Sequence, residues 1–88
     1  MNEVTIYTKN YCPYCTRAKA LLDRKGVAYT DIDVTFDTAL QEEMIERSGR
    51  RTVPQVFIGD VHVGGSDDLI DAERSGELDG LLERIVAA

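Results

Sequence analysis

The hydrophobic residues of this chain recur with two different spacings. The segment from Val4 to Thr8 is β-branched and aromatic, and Val27 to Val34 alternates with a period of two, which predicts two β-strands. Leu40, Met44 and Ile45 follow a helical spacing and share one face of a helix. A second helical face, near the C-terminus, consists of Leu78, Leu81, Leu82, Ile85 and Val86. We interpret both faces as packed core.

Eight elements are predicted, with glycines at several of the turns. Gly26, Gly49 and Gly76 each follow a helical segment, as expected of a left-handed residue that ends a helix. Gly59-Asp60, between two short apolar runs, predicts a tight hairpin. The predicted elements are a strand at 3–8, a helix at about 13–25, a strand at 28–34, a helix at about 37–48, strands at 55–59 and 61–64, and helices at about 67–75 and 77–86.

The order of these elements predicts the fold class. A strand, a helix and a strand joined by a right-handed crossover place the first two strands in parallel. The helix, hairpin and helix that follow add two strands. We therefore predict an α/β protein of thioredoxin-like fold, with a four-stranded mixed sheet flanked by helices. At 88 residues the chain is expected to form a single domain, residues 1–88.

Composition agrees with an ordinary globular domain. Hydrophobic residues make up 43% of the chain and charged residues 30%. No apolar run approaches the roughly 18 residues that span a bilayer, and the first residues lack a basic segment followed by an apolar core. We therefore expect a cytoplasmic protein with no membrane association, in a compartment that keeps thiols reduced.

The formal net charge of −6 is unevenly distributed. The first 26 residues contain five basic and two acidic residues, whereas the rest of the chain contains five basic and fourteen acidic residues. The overall sign argues against nucleic acid as a partner. The local excess, with Lys9, Arg17 and Lys19, surrounds the cysteines and would favour a thiolate. We interpret Arg24 and Lys25 as an ordinary solvated helix face.

The only two cysteines, Cys12 and Cys15, lie at the turn from the first strand to the first helix. A sulfur at a helix N-terminus meets unpaired N–H groups and the positive end of the dipole, which stabilise a thiolate. Pro13 suits the first helical position, so Cys12 is predicted at the N-cap and Cys15 one turn inside. This spacing brings an attacking and a resolving thiol together, which favours a redox enzyme.

Two other roles for the cysteine pair are less favourable. A disulfide across so short a loop would stabilise the fold by only about 2 kcal/mol, because short loops restrict the unfolded chain least. A tetrahedral zinc site needs four ligands, and the only further candidate is His62, about fifty residues away in a hairpin strand. We therefore expect no metal within one chain.

Three motifs in order make the resemblance to a known family specific. Tyr7-Thr8-Lys9 precedes Cys12-Pro13-Tyr14-Cys15, and Arg51-Thr52-Val53-Pro54 and then Gly64-Gly65-Ser66-Asp67-Asp68 follow. With this set the chain resembles the dithiol glutaredoxins over nearly its whole length, from about Val4 to Leu82. Members of that family bind the tripeptide glutathione in a groove beside the nucleophile.

The resemblance assigns one part of that groove to Lys9 and to residues in the middle of the chain. Lys9 and Gln41 match positions that contact the glycine carboxylate of glutathione. Thr52 and Val53 match the segment that pairs with its cysteinyl backbone through main-chain hydrogen bonds. The resemblance also implies a cis peptide bond before Pro54, at a position opposite the cysteines, and we count Pro54 among the residues predicted to bind glutathione.

The other part of the groove is assigned to the turn before the third helix. Gly65, Ser66 and Asp67 match the turn that receives the γ-glutamyl end, with Asp67 meeting its ammonium group. The local sequence fits plain helix capping by Ser66 and Asp67 equally well, and the flanking motifs favour binding. Tyr14 is interpreted as an exposed aromatic platform for substrate, or else as an incidental surface aromatic residue.

The resemblance implies a glutathione-dependent thiol–disulfide oxidoreductase in which Cys12 attacks and Cys15 resolves. Glutathione is the implied reductant, and the implied partners are disulfide-containing or glutathionylated proteins, with ribonucleotide reductase as one candidate. We expect a monomer. Two alternatives stay open: a redoxin reduced by thioredoxin reductase, and an iron–sulfur carrier in which two chains share a cluster through Cys12 and two glutathiones.

Overall fold

The computed structural model describes residues 3–87, and the side chains of residues 3–84. All eight predicted elements occur, and each begins and ends within one residue of its prediction. They are β1 (Val4–Thr8), α1 (Pro13–Arg24), β2 (Tyr29–Asp33), α2 (Thr38–Ser48), β3 (Gln55–Ile58), β4 (Val61–Gly64), α3 (Ser66–Ser75) and α4 (Glu77–Ala87).

The four strands form one mixed sheet in the order β2-β1-β3-β4. As predicted, β1 and β2 are parallel, while β3 is antiparallel to both β1 and β4. The hairpin between β3 and β4 turns at Gly59, whose φ of 59° lies in the left-handed region that favours glycine. The sheet places the C-terminal end of β1 beside the start of β3, and the site described below lies at that end.

The core lies on both faces of the sheet. Residues of α1, α3 and α4 pack together with one face of β1 and β3 in the larger cluster, made of Val4, Ile6, Ala18, Leu21, Leu22, Val56, Ile58, Leu69, Ala72, Leu78 and Leu82. The smaller cluster, with α2, is made of Tyr7, Val34, Met44 and Phe57. The predicted core faces of α2 and α4 are thus confirmed, while the side chains of Ile85 and Val86 lie outside the described residues.

Two details differ from the predicted pattern. The period-two pattern of Val27 to Val34 predicts that Thr30 shares a face with Ile32 and Val34, and these two do pack with α2. Thr30 itself is exposed, and it lies on β2, which is an edge strand of the sheet. Lys25 is not simply solvated: its Nζ lies 2.7 Å from Glu73 and 2.5 Å from an Asp79 carboxylate oxygen, so it joins the end of α1 to α3 and α4.

Candidate active site

Cys12 caps the first helix, as predicted. Its backbone is extended, with φ −111° and ψ 102°, and its Sγ accepts a hydrogen bond from the Cys15 N–H at 3.2 Å. Pro13 occupies the first helical position, where its missing N–H leaves no donor unpaired. The sulfur of Cys12 therefore receives one of the orphan N–H groups of α1, an arrangement that favours negative charge on sulfur.

Cys15 lies one turn further along α1 and is only 2% exposed. Burial, and secondly a hydrogen bond to Cys12, raise the pKa of the Cys15 thiol to about 12. Both cysteines are free thiols in this structure, and Cys12 is half-buried. The pair thus combines an accessible sulfur that is placed to react with a protected sulfur that holds its proton.

Two of the basic residues near the cysteines contact neighbouring side chains. Lys19 forms an ion pair with Asp31 at 3.0 Å, so its charge is not free for Cys12. The guanidinium of Arg17 lies 5.6 Å from the centre of the Tyr14 ring and forms a cation–π contact. Of the basic residues predicted to surround the cysteines, Lys19 is therefore balanced by a carboxylate, and Arg17 keeps its charge beside an uncharged ring.

A groove beside the cysteines brings together seven of the predicted binding residues. Residues from the start of α1, the loop before β3 and the start of α3 line it: Tyr14, Arg50, Thr52, Val53, Pro54, Gly65, Ser66, Asp67 and Asp68. Cys12 Sγ lies 3.9 Å from the main-chain oxygen of Val53, which joins the sulfur to this groove. The peptide bond between Val53 and Pro54 is cis, as the resemblance implied.

The turn at the start of α3 differs from the capping alternative. Gly65 is the N-cap, so Ser66 and Asp67 are the first two residues of the helix and neither occupies the capping position. The side chain that bonds to the N-cap backbone is that of Asp68. Its Oδ2 accepts hydrogen bonds from the Gly65 N–H at 2.9 Å and from the Arg50 guanidinium at 2.7 Å. These two donors, with Arg50 first, hold the pKa of Asp68 below its usual value. The Asp67 carboxylate is exposed and faces the groove.

Two predicted binding residues lie elsewhere. Lys9 lines a separate cavity, which Cys12 and Cys15 also line. Gln41 lies on α2, and its side-chain amide donates to the main-chain oxygens of Val34 at 2.8 Å and Thr35 at 3.5 Å. The contacts of these two residues with a ligand stay predictions.

Two residues of the groove, Arg50 and Asp68, were not predicted as site residues. Each of them belongs to a short sequence pattern that could have identified it. Arg50 and Arg51 form a basic pair in the acidic part of the chain, directly before Thr52. Asp68 stands three residues after Gly65, the spacing at which a carboxylate bonds back to the N-cap N–H.

Within residues 3–84, no group of three or more His, Cys, Asp or Glu side chains is arranged to hold a metal ion. Among the described helices, none has the length and apolar character needed to cross a membrane.

The chain is similar to known proteins of one family. The family model for glutaredoxins matches residues 4–63. Glutaredoxin 3 of Escherichia coli K12 is 54% identical over 83 residues, which cover 94% of this chain and all of that protein.

Two solved structures are also similar. The buckwheat glutaredoxin–glutathione complex is 37% identical with a TM-score of 0.88, covering 98% of this chain and 81% of that one. A structure concerned with metal binding of glutaredoxins is 60% identical with a TM-score of 0.70, covering 93% and 89% of the two chains. These similarities confirm the predicted thioredoxin-like fold. With the family model and a full-length relative in agreement, the chain belongs to the glutaredoxin family.

Proposed function

We propose that this protein is a glutathione-dependent oxidoreductase that reduces protein disulfides and glutathione mixed disulfides. Family membership and the Cys12–Cys15 pair already make it a thiol–disulfide oxidoreductase. The observation that carries the glutathione dependence is the groove beside Cys12, lined by seven residues predicted to bind glutathione, five of which the family resemblance assigns to it: Thr52, Val53, Gly65, Ser66 and Asp67.

The chemistry of the groove suits glutathione, an extended molecule with a carboxylate at each end and one ammonium group. The main chain at Thr52 and Val53 offers an edge that can pair with an extended backbone. The start of α3 offers free N–H groups to the γ-glutamyl carboxylate, and Asp67 offers a carboxylate to the ammonium. The similar buckwheat glutaredoxin, which was solved as a glutathione complex, supports the same use here.

The proposed reaction starts at Cys12. Its thiolate attacks one sulfur of a substrate disulfide, the S–S bond breaks, and the leaving sulfur takes up a proton. With a protein substrate, Cys15 then attacks the Cys12 sulfur of the mixed disulfide, loses its own proton and releases the reduced protein. Two glutathione molecules reduce the resulting Cys12–Cys15 disulfide and leave as oxidised glutathione.

When the mixed disulfide contains glutathione, a second glutathione resolves it directly. This shorter route leaves Cys15, which is only 2% exposed, out of the cycle. In this proposal the protein works in the cytoplasm, where reduced glutathione is abundant. It acts as a monomer. Its partners would be disulfide-containing or glutathionylated proteins, with ribonucleotide reductase as one candidate.

A coupled assay tests the proposal. The wild-type protein is given a disulfide substrate and NADPH, with either glutathione and glutathione reductase or thioredoxin reductase as the electron source. We expect turnover with the glutathione system only. Turnover that depends on thioredoxin reductase and not on glutathione would contradict the proposal and favour the redoxin alternative.

A second candidate function is iron–sulfur binding, in which two chains share a cluster through Cys12 and two glutathiones. Its support is the 60% identical structure that concerns metal binding of glutaredoxins. An absorption spectrum of protein purified without oxygen from iron-replete cells tests it. Visible charge-transfer bands that disappear in Cys12→Ser would support this candidate, and a featureless visible spectrum would reject it.

A further inference from the structure

A buried amide supports the loop that forms one wall of the groove. Gln55, the first residue of β3, is fully buried. Its Nε2 donates to the main-chain oxygen of Thr52 at 3.0 Å and to the Thr52 hydroxyl at 3.3 Å. Its Oε1 lies 2.7 Å from His62 Nε2. Both ends of the amide are therefore occupied, and its two donor contacts to Thr52 fix which end faces His62.

His62 is held in place by its own surroundings. Its ring stacks on Phe57, with centroids 4.9 Å apart and planes 29° apart. Burial, and then the charge of Arg50, lower the pKa of His62, so the ring is neutral at neutral pH. Because Gln55 presents an oxygen, the Nε2 of His62 must carry the ring proton. His62 does not line the groove, and neither does Gln55.

We propose that His62 is a positioning residue for the active-site groove. Its Nε2–H orients the amide of Gln55, and this amide holds Thr52 where the main chain of Thr52 and Val53 can pair with the ligand. The inference rests on the proposed function, because it concerns the segment that would meet the cysteinyl backbone of glutathione.

The need for such support follows from the position of Thr52. Pairing between β1 and β3 begins at Gln55, so the loop before it receives no support from that ladder. Thr52 is exposed, and packing alone does not restrain it. A loop that is ordered before binding spares the ligand the entropy of ordering it. Loss of the His62 donor should therefore weaken glutathione binding while the reaction at Cys12 stays intact.

A matched pair of variants tests this chain of contacts from His62 through Gln55 to Thr52. His62→Gln keeps an N–H donor near the position of Nε2, whereas His62→Met has a similar length and no donor; both lose the ring that stacks on Phe57. We expect His62→Met to raise the KM for glutathione by about threefold to tenfold relative to His62→Gln, at equal kcat. Both variants should reduce a small disulfide without glutathione groups at equal rates with dithiothreitol as the reductant.

Equal KM values in two folded variants would overturn the inference. If either variant fails to fold, the wild-type protein gives an independent test through the ¹⁵N chemical shifts of its imidazole nitrogens at neutral pH. We expect the neutral His62 ring to carry its proton on Nε2. A ring protonated on Nδ1 instead would overturn the inference. A wild-type protein that does not use glutathione at all would instead contradict the proposed function, so the two failures are distinguishable.

Discussion

The two walls of the active site are built in different ways. The cysteine wall, residues 12–15, is local: a helix begins there, and a single N–H bond from Cys15 to Cys12 spans three residues. The binding wall, residues 50–54 and 65–68, joins two separate segments through Arg50 and Asp68, which are eighteen positions apart in the chain. Changes in the cysteine wall should therefore alter chemistry, and changes in the binding wall should alter affinity.

The largest effect is expected within the cysteine wall itself. Cys12→Ser should reduce activity to the uncatalysed level on every substrate, because a serine hydroxyl does not ionise near neutral pH and cannot form the mixed disulfide. Cys15→Ser should keep turnover on glutathione mixed disulfides and lose the dithiol reduction of protein disulfides. Rates on a glutathionylated peptide and on a protein disulfide, measured side by side, check both variants.

Equal losses in the two variants on the glutathionylated peptide would contradict the division of roles. The outcome would mean that the buried Cys15 thiol takes part in every cycle. Mass spectrometry of Cys15→Ser provides the control, since the Cys12–glutathione adduct should accumulate when reduced glutathione is omitted.

An intermediate effect is expected from Asp67 in the binding wall. Asp67→Ala should raise the KM for glutathione by about twofold to fivefold, the size of a partly exposed charge contact, with little change in kcat. Asp71→Ala is the matched control, because Asp71 is an exposed aspartate one turn later on α3 that does not line the groove. If Asp67→Ala and Asp71→Ala give the same KM, Asp67 does not bind the ammonium group.

A similar effect is expected from Lys9, which is predicted to contact the other end of glutathione. Lys9→Ala should also raise the KM for glutathione by about twofold to fivefold if its ammonium meets the glycine carboxylate. Arg24→Ala is the control, since Arg24 is an exposed cation at the far end of α1. An unchanged KM in Lys9→Ala would restrict the ligand contacts to the groove in which Lys9 takes no part.

The contrast between the walls also explains what the sequence could predict. Hydrophobic spacing and glycines located every element, and Pro13 located the helix start, because these signals act within a few residues. The family resemblance located the groove residues, since no local pattern links Thr52 to Asp67. The Arg50–Asp68 and His62–Gln55 contacts escaped prediction because each joins side chains that only the folded sheet brings together. The pairing of Lys25 with Glu73 escaped it for the same reason.

The smallest effect concerns the ion pair that ties the binding wall together. Arg50 and the Gly65 N–H lower the pKa of Asp68 in the folded protein, and neither contact exists in the unfolded chain. A lowered folded-state pKa means that the contribution to stability is present above the unfolded value and is lost as pH falls through the folded value. Because both side chains are more than 40% exposed, this contribution should stay below about 1 kcal/mol.

Thermal unfolding of the wild type and Asp68→Asn between about pH 7 and about pH 2 checks this sign. The wild type should have the higher Tm at neutral pH, and the difference should shrink below about pH 4 as Asp68 takes up its proton. Asp60→Asn, at the exposed hairpin turn, controls for the loss of one carboxylate. A Tm difference that grows as the pH falls would mean that ionised Asp68 stabilises the fold less than protonated Asp68 does, and the Arg50–Asp68 pair would then not stabilise the link between the two segments of the binding wall.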